Sequence, residues 1–412
     1  MDQTYFRRGF GLKKEIEPLL AAEYHSALVE ELRAEGHVRS FGDLTIRLAE
    51  AFGFCYGVDR AVDYAYQTTV KFPDRRIFLV GEIIHNPHVN KRLQDAGVTF
   101  LYPGKDGHFD FAMLQPNDVV ILPAFGVTMH DFDVLKGIGC VLVDTTCGSV
   151  LNVWKRVESY AKDRFTALIH GKYFHEETRA TASQVNTHGG GTYIVVRDMA
   201  EVRLVCDYIE QNPGALSKAE FQAHFREKSS ADFDPDVDLV RVGVANQTTM
   251  LASESLAIAA EVGKSMTRRY GAAELSEHFR SFDTICSATQ ERQDAVLKMM
   301  QEPPDIMIVI GGYNSSNTNH LAHLCREYTT AYHIADATCI DAEAGTIRHK
   351  AELAADAPEV STGDWLSPGP ISLGLTAGAS TPNNKIGETI ERILATRSLV
   401  LGGAALAPQS PA

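Results

Sequence analysis

CVLVDTTCGSVLNVWKRVESYAK, residues 140–162, reads as a short apolar strand, a tight polar turn, a cysteine and then a helix. The same order recurs at Cys55 in FGFCYGVDRAV (52–62) and at Cys286 in FDTICSATQERQDAV (282–296). A second apolar run, 28 to 30 residues after each cysteine, ends in polar residues. These ends are His85 in FLVGEIIHNPH, His175 in LIHGKYFHEET and Asn314 in MIVIGGYNSSNTN. A third strand edge completes each unit: PAFGVT at 123–128, ANQTTM at 245–250 and TAGAST at 376–381. Three units that each offer one thiol and a set of polar loop ends predict one shared metal centre with three sulfur ligands.

Between these anchors the rhythm of strand, tight loop and helix continues, as in RRIFLVGEII followed by PHVNKRLQDAG and DVVILPAF followed by MHDFDVLKG. Strands alternating with helices of this length indicate βαβ units. The expected fold is therefore α/β, with three similar lobes of mostly parallel sheet in pseudo-threefold arrangement around the shared centre. Ligands of such folds bind beyond the carboxyl ends of the strands, where every residue above lies. The expected segments are a mostly helical N-terminal extension (1–43) and a first lobe (44–146), whose 44–54 strand is open to joining the third. A second lobe (147–285), a third (286–396) and a tail (397–412) follow. A helical excursion with a loop is expected near 207–236 in the second lobe, and a similar one near 340–368 in the third.

With 412 residues, 44% of them apolar and 22% charged, the composition is that of a globular protein with room for two or three cores. A net charge of −14 without a dense Lys/Arg cluster argues against nucleic acid as a partner. No apolar run is long enough to span a bilayer. The start, MDQTYFRRGFGLKKEIEPLL, has no signal-peptide core, so a cytoplasmic protein without a membrane partner is expected. Seven scattered cysteines, an odd number, suit reduced thiols better than a disulfide framework.

A thiol at the start of a helix is pushed toward thiolate by the helix dipole and free amides, and thiolate is the form that ligates iron or zinc. The separations of 92 and 139 residues between Cys55, Cys147 and Cys286 match no zinc-ribbon or ferredoxin spacing. Residue types alone thus leave both metals open. Cys140, Cys206, Cys325 and Cys339 read as core. NSSNTN at 314–319, opening a helix, offers hydroxyls and amides to an anion; ASTP (379–382) and QTTM (247–250) could converge with it. Glu177 in HEET is either a proton donor or the ordinary acid of a first helical turn. A non-enzymatic iron–sulfur or zinc sensor explains three thiolates but not these loops. A zinc phosphohydrolase explains the loops but needs no redox metal.

RLAEAFGFCYGVDRAV, GEIIHNPHVNKRL, LPAFG, DTTC, IHGKYFHEET, ANQTTM, DTICSATQERQDA, GGYNSSNTNHL and TAGASTP occur in this order over residues 44–396. Together they resemble the LytB/IspH family of hydroxymethylbutenyl diphosphate reductases, in its plant and cyanobacterial branch. The resemblance implies a [4Fe–4S] cluster held by Cys55, Cys147 and Cys286, with one iron lacking a protein ligand. It implies an allylic diphosphate substrate whose hydroxyl leaves as water, with Glu177 as proton source and Thr248 helping to relay or position the proton. The diphosphate would lie among His85, His175, Ser315, Ser316, Asn317 and Ser380, with Thr248 and Thr249 nearby. Electrons would come from a ferredoxin or flavodoxin, docking on a basic patch that includes Arg60, Lys91 and Arg92. Two positions depart from the usual pattern: Phe125 stands where many members have histidine, and Gly148 where proline is usual.

Overall fold

The computed structural model describes residues 4–105, 107–188, 190–282, 284–351 and 357–398. From residue 399 onward the expected tail lies outside the described residues. The strands form three sheets, distributed over two compact units. One unit comprises the described residues of Met1–Phe10, Arg60–Ile83 and Arg92–Cys286, and the other those of Gly11–Asp59, Ile84–Lys91 and Ser287–Ala412.

The first unit holds two sheets, both parallel throughout. One runs in the order Tyr5–Phe6, Val141–Asp144, Val119–Leu122, Ile77–Val80, Thr99–Leu101. The other runs Phe279–Ser281, Val242–Asn246, Thr166–His170, Tyr193–Val196. Every residue of Val119–Leu122, Val141–Asp144, Thr166–His170 and Val242–Asn246 is buried. A parallel sheet covered on both faces has no polar side to show, which is why these strands read as unbroken apolar runs. In the four-stranded sheet Leu168, Ile194, Val242 and Val244 face a core with Val202, Val205, Ile258 and Val262. Ala167, Ile169, Val195 and Ala245 face the opposite core. That second core is supplied by Val153, Val157 and Tyr160 of the helix Gly148–Lys162. The helix thus starts at the end of a strand of the first sheet and packs on the second.

The second unit carries a sheet in the order Ile340–Asp341, Thr346–Lys350, Thr330–Ile334, Ile306–Ile310, Ile371–Ala377, Leu44–Leu48, Val38–Phe41. Its middle is parallel and its edges are antiparallel. Ile306, Ile308 and Ile310 enter one apolar cluster, and Met307 and Val309 the other.

The N-terminal extension is only partly helical. Besides Lys13–Tyr24 and Ala27–Ala34 it contributes Tyr5–Phe6 and Val38–Phe41, each an edge strand. The excursion after the helix Met199–Glu210 is helical, as Lys218–Phe225, closed by a Ser217/Glu220 capping box and anchored by Phe221 and Phe225. The one near 340–368 is not: Thr346–Lys350 and Glu359–Gly363 pair as an antiparallel hairpin. Its period of two shows in Ile347 and His349, buried on either side of exposed Arg348. Among the described residues no helix is long and apolar enough to cross a membrane.

Close packing at the strand ends fixes where the loops point. At Gly378, just past Ile371–Ala377, a Cβ would lie 1.9 Å from Oγ1 of Thr318 in the helix Ser316–Arg326. Gly378→Ala is therefore expected to force the helix start away from the sheet and to lower stability by about 1–3 kcal/mol. Urea unfolding checks this, and an unchanged midpoint would contradict the packing.

Candidate functional site

Each of the three cysteines immediately precedes a helix: Cys55 before Tyr56–Lys71, Cys147 before Gly148–Lys162 and Cys286 before Ser287–Met299. All three are partly exposed, whereas Cys140, Cys206, Cys325 and Cys339 are buried. Burial pushes the Cys140 thiol up to about 11 and those of Cys206 and Cys325 up to about 12.

The turn at Cys147 is held from several directions. Asp144 Oδ1 accepts the Thr146 amide at 2.9 Å, the Thr145 hydroxyl donates to the Leu122 carbonyl at 2.6 Å, and the Cys147 amide donates to Ala124 O at 3.0 Å. Arg60 donates to the carbonyls of Thr146 (3.0 Å) and Arg7 (2.8 Å). Its guanidinium thus serves this turn. Gly148, the first helical residue, has open space where a Cβ would stand, so no contact there requires glycine. One residue on, the Ser149 hydroxyl lies 3.3 Å from Cys286 Sγ. In the second unit the Cys55 amide donates to Ala379 O at 3.2 Å. There the buried Arg292 donates to Gly53 O at 2.7 Å.

In the first unit the acid and one histidine form a single local structure. His175 caps the helix Glu176–Ser183, its Nδ1 accepting the Glu177 amide at 3.1 Å. With Nδ1 an acceptor, the neutral ring carries its proton on Nε2, an assignment made from the partner. The Phe125 ring meets the His175 ring edge to face at 5.8 Å. The adjoining Gly126 has φ +77°, and a Cβ would stand 2.3 Å from Trp154, so this backbone needs glycine. Glu177 is 2% exposed, and its Oε1 accepts the Thr248 amide at 2.5 Å. The contact between Glu177 and Thr248 is made by the threonine's backbone amide.

Gln247, which opens QTTM but is not among the expected site residues, organises this region. Fully buried, it accepts from the Lys172 amide and the Thr178 hydroxyl, each at 3.1 Å, and donates to Thr249 Oγ1 at 2.9 Å. One side chain thereby ties the loop before His175, the acid-bearing helix and the second threonine.

The second unit gathers the remaining polar residues. Ser315 caps Ser316–Arg326, accepting from the Thr318 amide and hydroxyl. Asn317 Oδ1 accepts the Ala379 amide at 2.9 Å. The Ser380 hydroxyl donates to His85 O at 3.2 Å, and Asn86 Nδ2 donates to Ser380 O at 2.8 Å. Asn314 Nδ2 approaches His85 Nδ1 at 3.4 Å, which again leaves the ring proton on Nε2. His85, Ser315, Ser316, Asn317 and Ser380 are all buried. Asn317 Nδ2 is a buried donor with no acceptor among the described residues, the kind of group a bound anion satisfies.

The chain is similar to known proteins over most of its length. The model of the LytB protein family matches residues 46–394. The 4-hydroxy-3-methylbut-2-enyl diphosphate reductase of Thermosynechococcus vestitus is 48% identical over 398 residues, covering 96% of each chain. That of Gloeobacter violaceus is 47% identical over 413 residues, covering 99% of this chain and 96% of its own. A solved (E)-4-hydroxy-3-methyl-but-2-enyl diphosphate reductase, the terminal enzyme of the non-mevalonate pathway, aligns with a TM-score of 0.50 and 26% identity, over 84% of this chain and 98% of its own. The corresponding reductase of Plasmodium falciparum shares the fold at a TM-score of 0.60 and 19% identity, over 86% of this chain and 88% of its own.

Gln247→Leu keeps the volume and removes the amide. Each donor or acceptor stranded by the change costs about 1–3 kcal/mol. The urea midpoint should fall by a corresponding amount at unchanged slope; a variant as stable as the parent would show that the clamp holds nothing.

Proposed function

The chain belongs to the LytB protein family, and on that footing we propose that it reduces 4-hydroxy-3-methylbut-2-enyl diphosphate to isopentenyl and dimethylallyl diphosphate, the last step of the non-mevalonate pathway. The observation that carries this reading among the residues is the division of the thiols. Three are partly exposed at helix starts and four are buried. Three partly exposed thiols at helix starts, where the first amides lack intrahelical partners, are a donor set that suits an iron–sulfur group. Cys55, Cys147 and Cys286 would hold a [4Fe–4S] cluster, leaving one iron without a protein ligand. When bound, such a cluster supplies single electrons and one Lewis-acidic position.

Removal of the hydroxyl as water consumes two electrons and two protons. A hydroxyl is a poor leaving group until its oxygen is protonated, and Glu177 is assigned that proton transfer. The Thr248 amide on Oε1 fixes the carboxyl group's orientation, so the proton is delivered from one position. The diphosphate is assigned to His85, His175, Ser315, Ser316, Asn317 and Ser380, with Thr248 and Thr249 nearby. Both histidines would donate from Nε2, because each Nδ1 is engaged within the protein. Binding energy from the anionic end then holds the reacting carbon in place. A cytoplasmic ferredoxin or flavodoxin is the assigned electron donor.

Anaerobically reconstituted protein, supplied with the substrate and a chemical reductant, should be brown and form both products. Colourless protein holding stoichiometric zinc would overturn the reading. Glu177→Gln should keep the visible spectrum and lose roughly 10²–10⁴-fold in turnover; full activity would remove Glu177 as proton source. Cys286→Ser should lose iron while Cys140→Ala retains it, and equal iron in the two would refute the ligand assignment.

A further inference from the structure

We propose that the paired strands Thr346–Lys350 and Glu359–Gly363 are a latch on the anion-binding loop and that Tyr313 is the positioning residue through which they act. The inference rests on the diphosphate assignment of that loop. Tyr313 lies in the turn between the strand Ile306–Ile310 and the helix Ser316–Arg326, two residues before Ser315 and next to Asn314. Its hydroxyl reaches out of the loop to the hairpin and donates to Glu359 Oε1 at 2.5 Å. Arg348, on the paired strand, holds the other Glu359 oxygen at 3.1 Å. Arg348 Nη2 and the Tyr313 hydroxyl each lie 3.8 Å from Cys339 Sγ.

The ring is held as well as its hydroxyl. The buried His333 meets it edge to face at 5.0 Å, and Lys350 Nζ stands 5.5 Å from its centroid. Burial, together with the bond to Glu359, raises the phenol's pKa, so it remains a donor across the physiological range. The backbone is tied in turn: the Tyr313 carbonyl accepts from Asn319 Nδ2 at 3.0 Å, inside the helix whose first residues carry the anion donors. On its other side Asn314 approaches His85. A continuous set of bonds therefore runs from the hairpin through Tyr313 to Asn314, His85 and the helix start. Fixing a loop before the ligand arrives removes an ordering cost from binding, so the latch acts on affinity and leaves the chemical step alone. This gives the segment near 340–368 a function.

Tyr313→Phe keeps the ring and deletes the donor; Glu359→Gln, on the hairpin surface, keeps the shape and weakens the acceptor. Each should raise the KM for the allylic diphosphate, and the dissociation constant for inorganic pyrophosphate by calorimetry, roughly three- to tenfold. Turnover at saturation and iron content should stay within about twofold, since the latch contacts neither Glu177 nor Cys55, Cys147 and Cys286. The double variant should lose less than the sum of the two single losses, because the two changes share the Tyr313–Glu359 bond. Unchanged KM and pyrophosphate affinity in both variants, or additive losses, would overturn the latch. Parent protein that neither turns over the substrate nor binds pyrophosphate would overturn the functional reading first, and the latch with it. An active parent with unaffected variants overturns the latch alone.

Discussion

A parallel strand buried on both faces can present chemistry only where it stops, and most of what this chain displays follows from that constraint. Val119–Leu122, Val141–Asp144, Thr166–His170, Val242–Asn246 and Ile306–Ile310 are buried along their whole length. Just beyond their carboxyl ends come Phe125, Cys147, His175, Thr248 and Ser315. A strand that turns into a helix also leaves the first helical amides without intrahelical partners. His175 and Ser315 each accept one of these amides with a side chain, and Cys147 occupies the equivalent position without doing so. The same backbone requirement thus produces a cap at two turns and a helix-start thiol at the third.

Such turns are useful only if they cannot drift. At Cys147, Asp144, Thr145 and Arg60 fix successive peptide groups, and Asp144 is itself held by the Tyr5 hydroxyl at 2.6 Å. At the acid, Gln247 does comparable work with one side chain. These groups are buried and mutually bonded, which is what makes removal of one partner costly. The geometry of a reactive carboxyl group is therefore secured by residues with no part in bond breaking.

The features legible in sequence have local causes. Cys55, Cys147 and Cys286 stand out because strand, turn and helix are encoded within some twenty residues of each. His175 and Ser315 share that grammar. Gln247 does not, because its partners Lys172 and Thr178 are about seventy residues away in sequence and nothing near it announces them. Arg60 invites a surface reading because charge is visible in sequence and a distant carbonyl acceptor is not. The hairpin near 340–368 is obscured for another reason. The buried positions of Thr346–Lys350 include the polar His349 and Lys350, so its burial does not show as a pattern of hydrophobicity.

The three sheets resemble one another in backbone more than in chemistry, and the differences are physically connected. The Glu176–Ser183 helix brings the buried Glu177, and the histidine that caps it must keep Nδ1 unprotonated to receive the Glu177 amide. Protonation of that nitrogen would break the cap beside the acid. An aromatic hydrocarbon edge at Phe125 fixes the ring without offering a proton that could compete for Nδ1. Histidine at position 125 would add a donor and a titrating group next to the cap. Phenylalanine adds neither, and packs edge to face against the His175 ring.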